Sequence, residues 1–217
     1  MTDETNEIAA LENAKPGAAA RLRAWLRLFR VQNLVTVPGD VLVGAAACGG
    51  LTFAHAPQLA LVCAASLLMY MYGLVDNDIV GAPTDPKTRP LAAGEISIGA
   101  AKVARTICLC LAVLALYFGR GQFLVLVALT VAIQLYNRTK NPLLMGATRG
   151  LNVLLGGFAW IPAAIWFLYI AGVTKFSERE AFDPTNDRKV ALLVYGLLVL
   201  QILGLVACWI LRATNLV

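Results

Sequence analysis

Between Tyr72 and Ser97 the chain reads YGLVDNDIVGAPTDPKTRPLAAGEIS. Asp76 and Asp78 come first, then Asp85, Lys87, Arg89 and Glu95, all directly after an apolar run. Hydrocarbon does not tolerate so many charges, so the stretch belongs at a polar surface or a polar cavity. Carboxylates beside cations at the end of a membrane helix are what a site for magnesium and a diphosphate needs. Magnesium takes oxygen ligands and usually keeps one or two protein carboxylates together with substrate phosphates. A charged loop held at one face by the positive-inside rule has the same composition. Residue types alone leave both readings open.

The elements around this stretch are those of a membrane protein. Of 217 residues, 59% are hydrophobic and only 14% charged, with a mean hydropathy of +0.71. That excludes an ordinary soluble domain and predicts an all-α, polytopic transmembrane bundle. The net charge of +5 is not a nucleic-acid signature. Its cations sit in short loops between apolar runs, where they set topology and face anionic lipid, so membrane lipids and not nucleic acid are the expected partners. Cys48, Cys63, Cys108, Cys110 and Cys208 all fall in or beside apolar runs, and none forms a CxxC pair. They read as small apolar fillers, with neither disulfides nor metal. The single histidine, His55, gives no basis for a histidine-centred mechanism.

Residues 1–20 read as a flexible cytoplasmic tail, and 21–217 as one transmembrane domain. Within RLRAWLRLFR, Arg21, Arg23, Arg27 and Arg30 alternate with Leu22, Trp25, Leu26 and Phe29. This predicts an amphipathic interfacial helix at 21–30 that anchors the N-terminus inside. The expected setting is a bacterial inner membrane. Apolar runs at 31–53, 58–75, 98–118, 123–136, 150–174 and 190–211 predict about six spans. Ser97 suits the N-cap of the third, and Pro83 and Pro86 stop any helix through the charged stretch. In the first span Asn33 and Asp40 share a face. An aspartate there is a functional candidate or a helix–helix hydrogen-bond partner. The run 150–174 would measure about 37 Å as one helix, a single tilted span. That places the charged segment 175–189 on the opposite face from Asp78. A break around Gly156 and Pro162 would return it to the same side.

The run NDIVGAPTDPKTRPLAAGEIS resembles the first aspartate-rich signature of the UbiA-type membrane prenyltransferases. FRVQNLVTVPGDVLVG resembles that family's first helix, and YNRTKNPLLMGATRGLNVLLGG its fourth-to-fifth helix region, in wording closest to the short EboC-like branch. The likeness covers roughly residues 25–160. It implies a helical bundle with a central cavity in which magnesium holds an allylic diphosphate that alkylates an acceptor. Carried over by position, Asn33 lines the pocket, and Asn77, Asp78 and Asp85 hold magnesium. Arg89 and Lys140 face the diphosphate, and Tyr136 lies near the prenyl chain. Asp78, Asp85 and Lys140 are then the candidate catalytic residues. Asn33, Asp40, Asn77, Arg89 and Tyr136 are the candidate substrate-binding residues, while Asn152 is either a further candidate or a helix–helix hydrogen-bond partner.

The chain also departs from the family pattern. Gly81 stands where the signature has an aspartate, and the Arg-Pro pair follows Asp85 closely. The family's second acidic motif has no clear counterpart, the later acids being Glu178, Glu180, Asp183 and Asp187. The bundle is shorter than the family's. Two functions follow: a shortened prenyltransferase, or an inactive relative serving as a structural, lipid- or pigment-binding subunit beside partner membrane subunits. A small transporter, suggested by Asp40, lacks the inverted repeat it would need.

Overall fold

The computed structural model describes residues 17–180 and, beyond them, Gly196 and Val199. Most of the expected tail and of the last expected span therefore lies outside the described residues. Within residues 17–180 seven α-helices follow one another: α1 Ala18–Leu28, α2 Val37–Ala47, α3 Ala56–Gly81, α4 Ile98–Phe118, α5 Phe123–Thr139, α6 Pro142–Gly156 and α7 Trp160–Glu180. Short 3-10 turns at Val31–Thr36 and Phe53–His55 join the first three. Segments Phe53–Gly81, Ile98–Phe118 and Trp160–Ser177 are long and apolar enough to cross a membrane, while α2 and α5 are apolar but shorter.

Local chemistry explains most boundaries. Ser97 caps α4 as expected, its hydroxyl accepting from the Ala100 N–H at 3.2 Å. Asn141 caps α6 in the same way through the Leu143 N–H at 2.9 Å, with Pro142 in the first turn. α3 stops at Gly81, two residues before Pro83.

Two expected spans are corrected. The run 31–53 is not one helix: a 3-10 turn precedes α2, which ends at Ala47. The run 150–174 is broken after Gly156, and α7 starts afresh at Trp160. A Cβ on Gly146 would touch the Phe167 carbonyl and Ala171, and one on Gly150 the Ala163 carbonyl. Contacts that run backwards along the chain make α6 and α7 an antiparallel hairpin. The last turns of α7 therefore return to the end of the bundle where α6 starts. That is also where α3 and α5 end, so 175–180 lie on the same side as Asp78, not the opposite one.

The core surrounds α3. Ala65, Met69 and Tyr72 pack against Ala112 and Leu116 of α4, Leu126 and Leu129 of α5, and Val153 and Leu154 of α6. Many of the outer apolar side chains face away: Leu124 is 86% exposed, and Val103, Val127 and Val131 are also exposed. In a bilayer these meet lipid. Lipid is as apolar as they are, so close packing and polar links hold such helices together. The tightest approach is α2 on α6. A Cβ on Gly44 would lie 2.0 Å from the Val153 carbonyl oxygen, and one on Gly156 2.0 Å from that of Val41. α1 covers the charged loop, burying Ala24 and Leu28 against Val75, Leu91, Ile96 and Ala101 while Leu22 and Leu26 stay exposed. The observed helix overlaps the one expected at 21–30 but runs from Ala18 to Leu28, leaving Arg30 outside it, and part of its apolar surface is spent on the protein itself.

Candidate active site

A cavity of about 150 Å³ opens between α2, α3, α5 and α6. Ser66, Met69, Tyr70, Gly73, Leu74 and Asn77 line it from α3. They follow the helix at three- and four-residue intervals, so one face of α3 forms the wall over about 16 Å. Leu129, Ile133 and Tyr136 close it from α5, and Met145, Thr148, Arg149 and Asn152 from α6. Apolar side chains share the lining with Ser66, Thr148, Arg149 and Asn152. Charge gathers at the end where α3 and α5 stop.

At that end the carboxylate of Asp78 is buried, its side chain only 4% exposed. Its Oδ1 accepts from Arg89 Nη1 at 3.2 Å, Arg30 Nη2 at 3.4 Å and Asn77 Nδ2 at 3.4 Å. The same Arg89 nitrogen donates to Asp85 Oδ2 at 2.8 Å. The two carboxylates thus meet at one guanidinium. Lys140 donates to Asn77 Oδ1 and lies 5.6 Å from the centre of the Tyr136 ring. Two of these cations sit on unusual backbone: Arg30 at φ 45° and Lys140 at φ 54°, both left-handed. Such a conformation costs a non-glycine residue about 1–2 kcal/mol. Here it ends one element and turns a cation toward the carboxylates. Burial pushes the Lys140 ammonium's pKa down, while Asp85 and the more distant Asp78 and Asp76 oppose this and Arg89 adds to it.

Two polar networks hold this end in place. Asp76, 1% exposed, accepts from Arg105 of α4 at 2.7 Å and from Asn137 of α5 at 2.9 Å. Asn137 also donates to the Gly73 carbonyl at 3.1 Å. This fixes the last turn of α3 and hence Asn77 and Asp78. Further inside, Asp40 accepts from Arg149 at 3.0 Å and from Asn152 at 3.0 Å, and Ser66 donates to Asn152 at 2.7 Å. That network ties α2, α3 and α6 together.

The expected site residues fall into three groups. Asn77, Asp78, Asp85, Arg89 and Lys140 come together, with Tyr136 beside them. Asp40 stands behind the cavity wall, and its partners Arg149 and Asn152 form that wall. Asn33 lies in the 3-10 turn before α2, and its side chain is outside the described residues. Arg30, Arg105, Asn137 and Arg149 were not expected at the site, and Asp76 was expected only as one of the charges of the stretch. A signal existed for the pair Asp40 and Arg149, since ionisable groups inside apolar runs normally find each other. Arg30 carried none, because its place in a basic helix explained it.

By donor type the cluster suits a hard divalent cation: two carboxylates and an amide oxygen, with no nitrogen or sulfur ligand. Among the described residues no group of three His, Cys, Asp or Glu side chains is arranged to hold a metal. Magnesium here would draw its remaining ligands from phosphate and water. Glu178 and Glu180 belong to the last turn of α7, on the correct side, but their side chains lie outside the described residues, as do Asp183 and Asp187.

Neither a protein-family model nor a curated protein sequence matches the chain. A solved structure does. It is of digeranylgeranylglyceryl phosphate synthase in membranes, a UbiA-type prenyltransferase, and it matches with a TM-score of 0.64. The match covers 88% of this chain and 78% of that one, at 22% identity. The two proteins share an all-helical fold.

Proposed function

We propose that this chain is a UbiA-type membrane prenyltransferase that takes an isoprenoid diphosphate with its diphosphate at the charged end of the cavity. The observation that carries the reading is the cluster of Arg30, Arg89 and Lys140 with Asp78 and Asp85, which adjoins the cavity through Arg30 and Asn77 of its lining. Three cations facing two carboxylates leave room for an anion. The apolar wall of Met69, Leu74, Leu129 and Ile133 suits the isoprenoid chain.

In the reaction the allylic C–O bond breaks and its electron pair leaves with the diphosphate. The acceptor then forms the new bond to carbon and loses a proton. Charge grows on the departing diphosphate, and fixed cations in a site shielded from water are the strongest means of stabilising it. Arg30 and Arg89 serve this role, and Lys140 reaches it from the α5 terminus. Magnesium, held by Asp78 and Asp85 with Asn77 beside them, would add Lewis-acid charge at the same oxygens. Arg89 bonds both carboxylates, so a bound metal would share them with the guanidinium.

The second reading is an inactive UbiA-like subunit of a larger membrane assembly. One observation favours it: the ion pairs of Asp78 and Asp85 with Arg89 are complete without metal and join the loop to α3. The test is release of inorganic diphosphate by the purified protein in lipid nanodiscs, given magnesium, geranylgeranyl diphosphate and an extract of native membrane lipids as acceptor source. Release by the wild type and none by a folded Asp78→Ala variant is the expected result. No release with prenyl chains of any length would favour the second reading.

A further inference from the structure

Behind the end of α3, residues 81–85 close a tight turn. The Gly81 carbonyl accepts from the Thr84 N–H at 2.9 Å, the Asp85 N–H at 2.8 Å and the Thr84 hydroxyl at 3.2 Å. This turn folds the Asp85 side chain back over Gly81. A Cβ on Gly81 would lie 2.4 Å from Asp85 Oδ2 and 2.8 Å from its Cγ. No side chain fits at 81 while Asp85 keeps its position. From that position Asp85 reaches the Arg89 nitrogen that also holds Asp78.

Gly81 is not among the glycines with positive φ, which are Gly49 and Gly94. Its backbone conformation does not call for glycine; the space above its Cα does. The atoms that would collide are the far end of a short side chain. A methyl group at 81 is therefore relieved by swinging the Asp85 carboxylate away, with the backbone left where it is.

We propose that Gly81 is a positioning residue of the site: its bare Cα is the seat of the Asp85 carboxylate, and that seat brings Asp85 to Asp78 at the charged end of the cavity. The ligand in this inference rests on the proposed function; the seat does not. In this chain an aspartate at 81 meets the same obstacle as an alanine, since its Cβ would also lie against the Asp85 carboxylate.

The seat is tested without any ligand. Carboxyl labelling with a water-soluble carbodiimide and glycine ethyl ester, localised by tandem mass spectrometry, reads Asp85 directly; its side chain is 17% exposed in the wild type. Gly81→Ala is expected to label at Asp85 several-fold faster, with Glu95 unchanged as internal control. Equal labelling of Asp85 in both proteins overturns the proposal. The role is tested by magnesium-dependent binding of geranylgeranyl diphosphate. Gly81→Ala and Asp85→Asn are each expected to weaken it by about 10- to 100-fold. The double variant should be no weaker than either single one, since both remove the same contact. Gly81→Asp should bind no more tightly than Gly81→Ala. Additive losses, or wild-type binding by Gly81→Ala with Asp85 freed, overturn the positioning role. If the wild type binds no prenyl diphosphate, the proposed function fails and the labelling still decides the seat.

Discussion

Asp78 is buried and held by two arginines and an amide, and the chemistry of the site turns on how those cations are shared. Lys140 is the one whose charge can be moved. Burial lowers its pKa, so it loses its proton at a lower pH than an ordinary lysine. Diphosphate affinity is therefore expected to fall as pH climbs through that lowered pKa. Lys140→Arg, which stays charged, should flatten this alkaline limb in a titration of binding against pH. Folding stability should move the other way. The folded chain binds fewer protons than the unfolded one between the lowered and the ordinary lysine pKa, so the contribution of this group rises with pH across that window. Asp40 makes a different prediction. Asp40→Ala leaves the Arg149 guanidinium without its carboxylate and should cost about 3 kcal/mol, read as a lower unfolding midpoint in detergent. At this scale the sequence disclosed the residue types that meet: Asp78, Asp85, Arg89 and Lys140 because their charge had nowhere else to go, and Asn77 through the resemblance to the family signature. It did not disclose their partners. Periodicity assigns a residue to a helix face, whereas Arg30 meets Asp78 across 48 positions and Arg149 meets Asp40 across 109.

Helices α3 to α6 position the site by ending or starting at the same level, and small residues let them approach. Gly44 and Gly156 show the limit of that approach, since each faces a carbonyl oxygen that cannot step aside. Gly44→Ala and Gly156→Ala are each expected to destabilise the protein by about 1–3 kcal/mol or more, measured by thermal unfolding. Ala46→Ser, half-buried on the same helix, is a control expected to have little effect. Where the sequence states a terminus chemically, as at Ser97 before α4, the expected and observed elements agree. The break before α2 was not legible in that way, and the one after Gly156 was open only as an alternative suggested by Gly156 and Pro162. Hydropathy stays high through both runs, and a gap of three residues between two antiparallel helices leaves no polar mark when protein packs around it.

The whole molecule places both ends of the charged chemistry on one side of the membrane. The hairpin of α6 and α7 returns Ser177 to the side of Thr84, while Phe53, fully exposed, lies at the other end. In a cysteine-free background, Thr84→Cys and Ser177→Cys should react with a membrane-impermeant maleimide from the same side of sealed vesicles, and Phe53→Cys from the opposite side. Labelling of Ser177→Cys together with Phe53→Cys would contradict the hairpin. Fold and membrane class were legible from composition and from the three motif blocks, and the likeness to a solved prenyltransferase agrees with both. The central claim is narrower: the charged end of the cavity binds the diphosphate of an isoprenoid. The most direct measurement is equilibrium binding of geranylgeranyl diphosphate to the purified protein with and without magnesium, for the wild type, Asp78→Asn and Arg89→Ala. The expected result is binding that requires magnesium and is lost at least tenfold in both variants. Equal binding by all three proteins, or none by the wild type at any magnesium concentration, would contradict it.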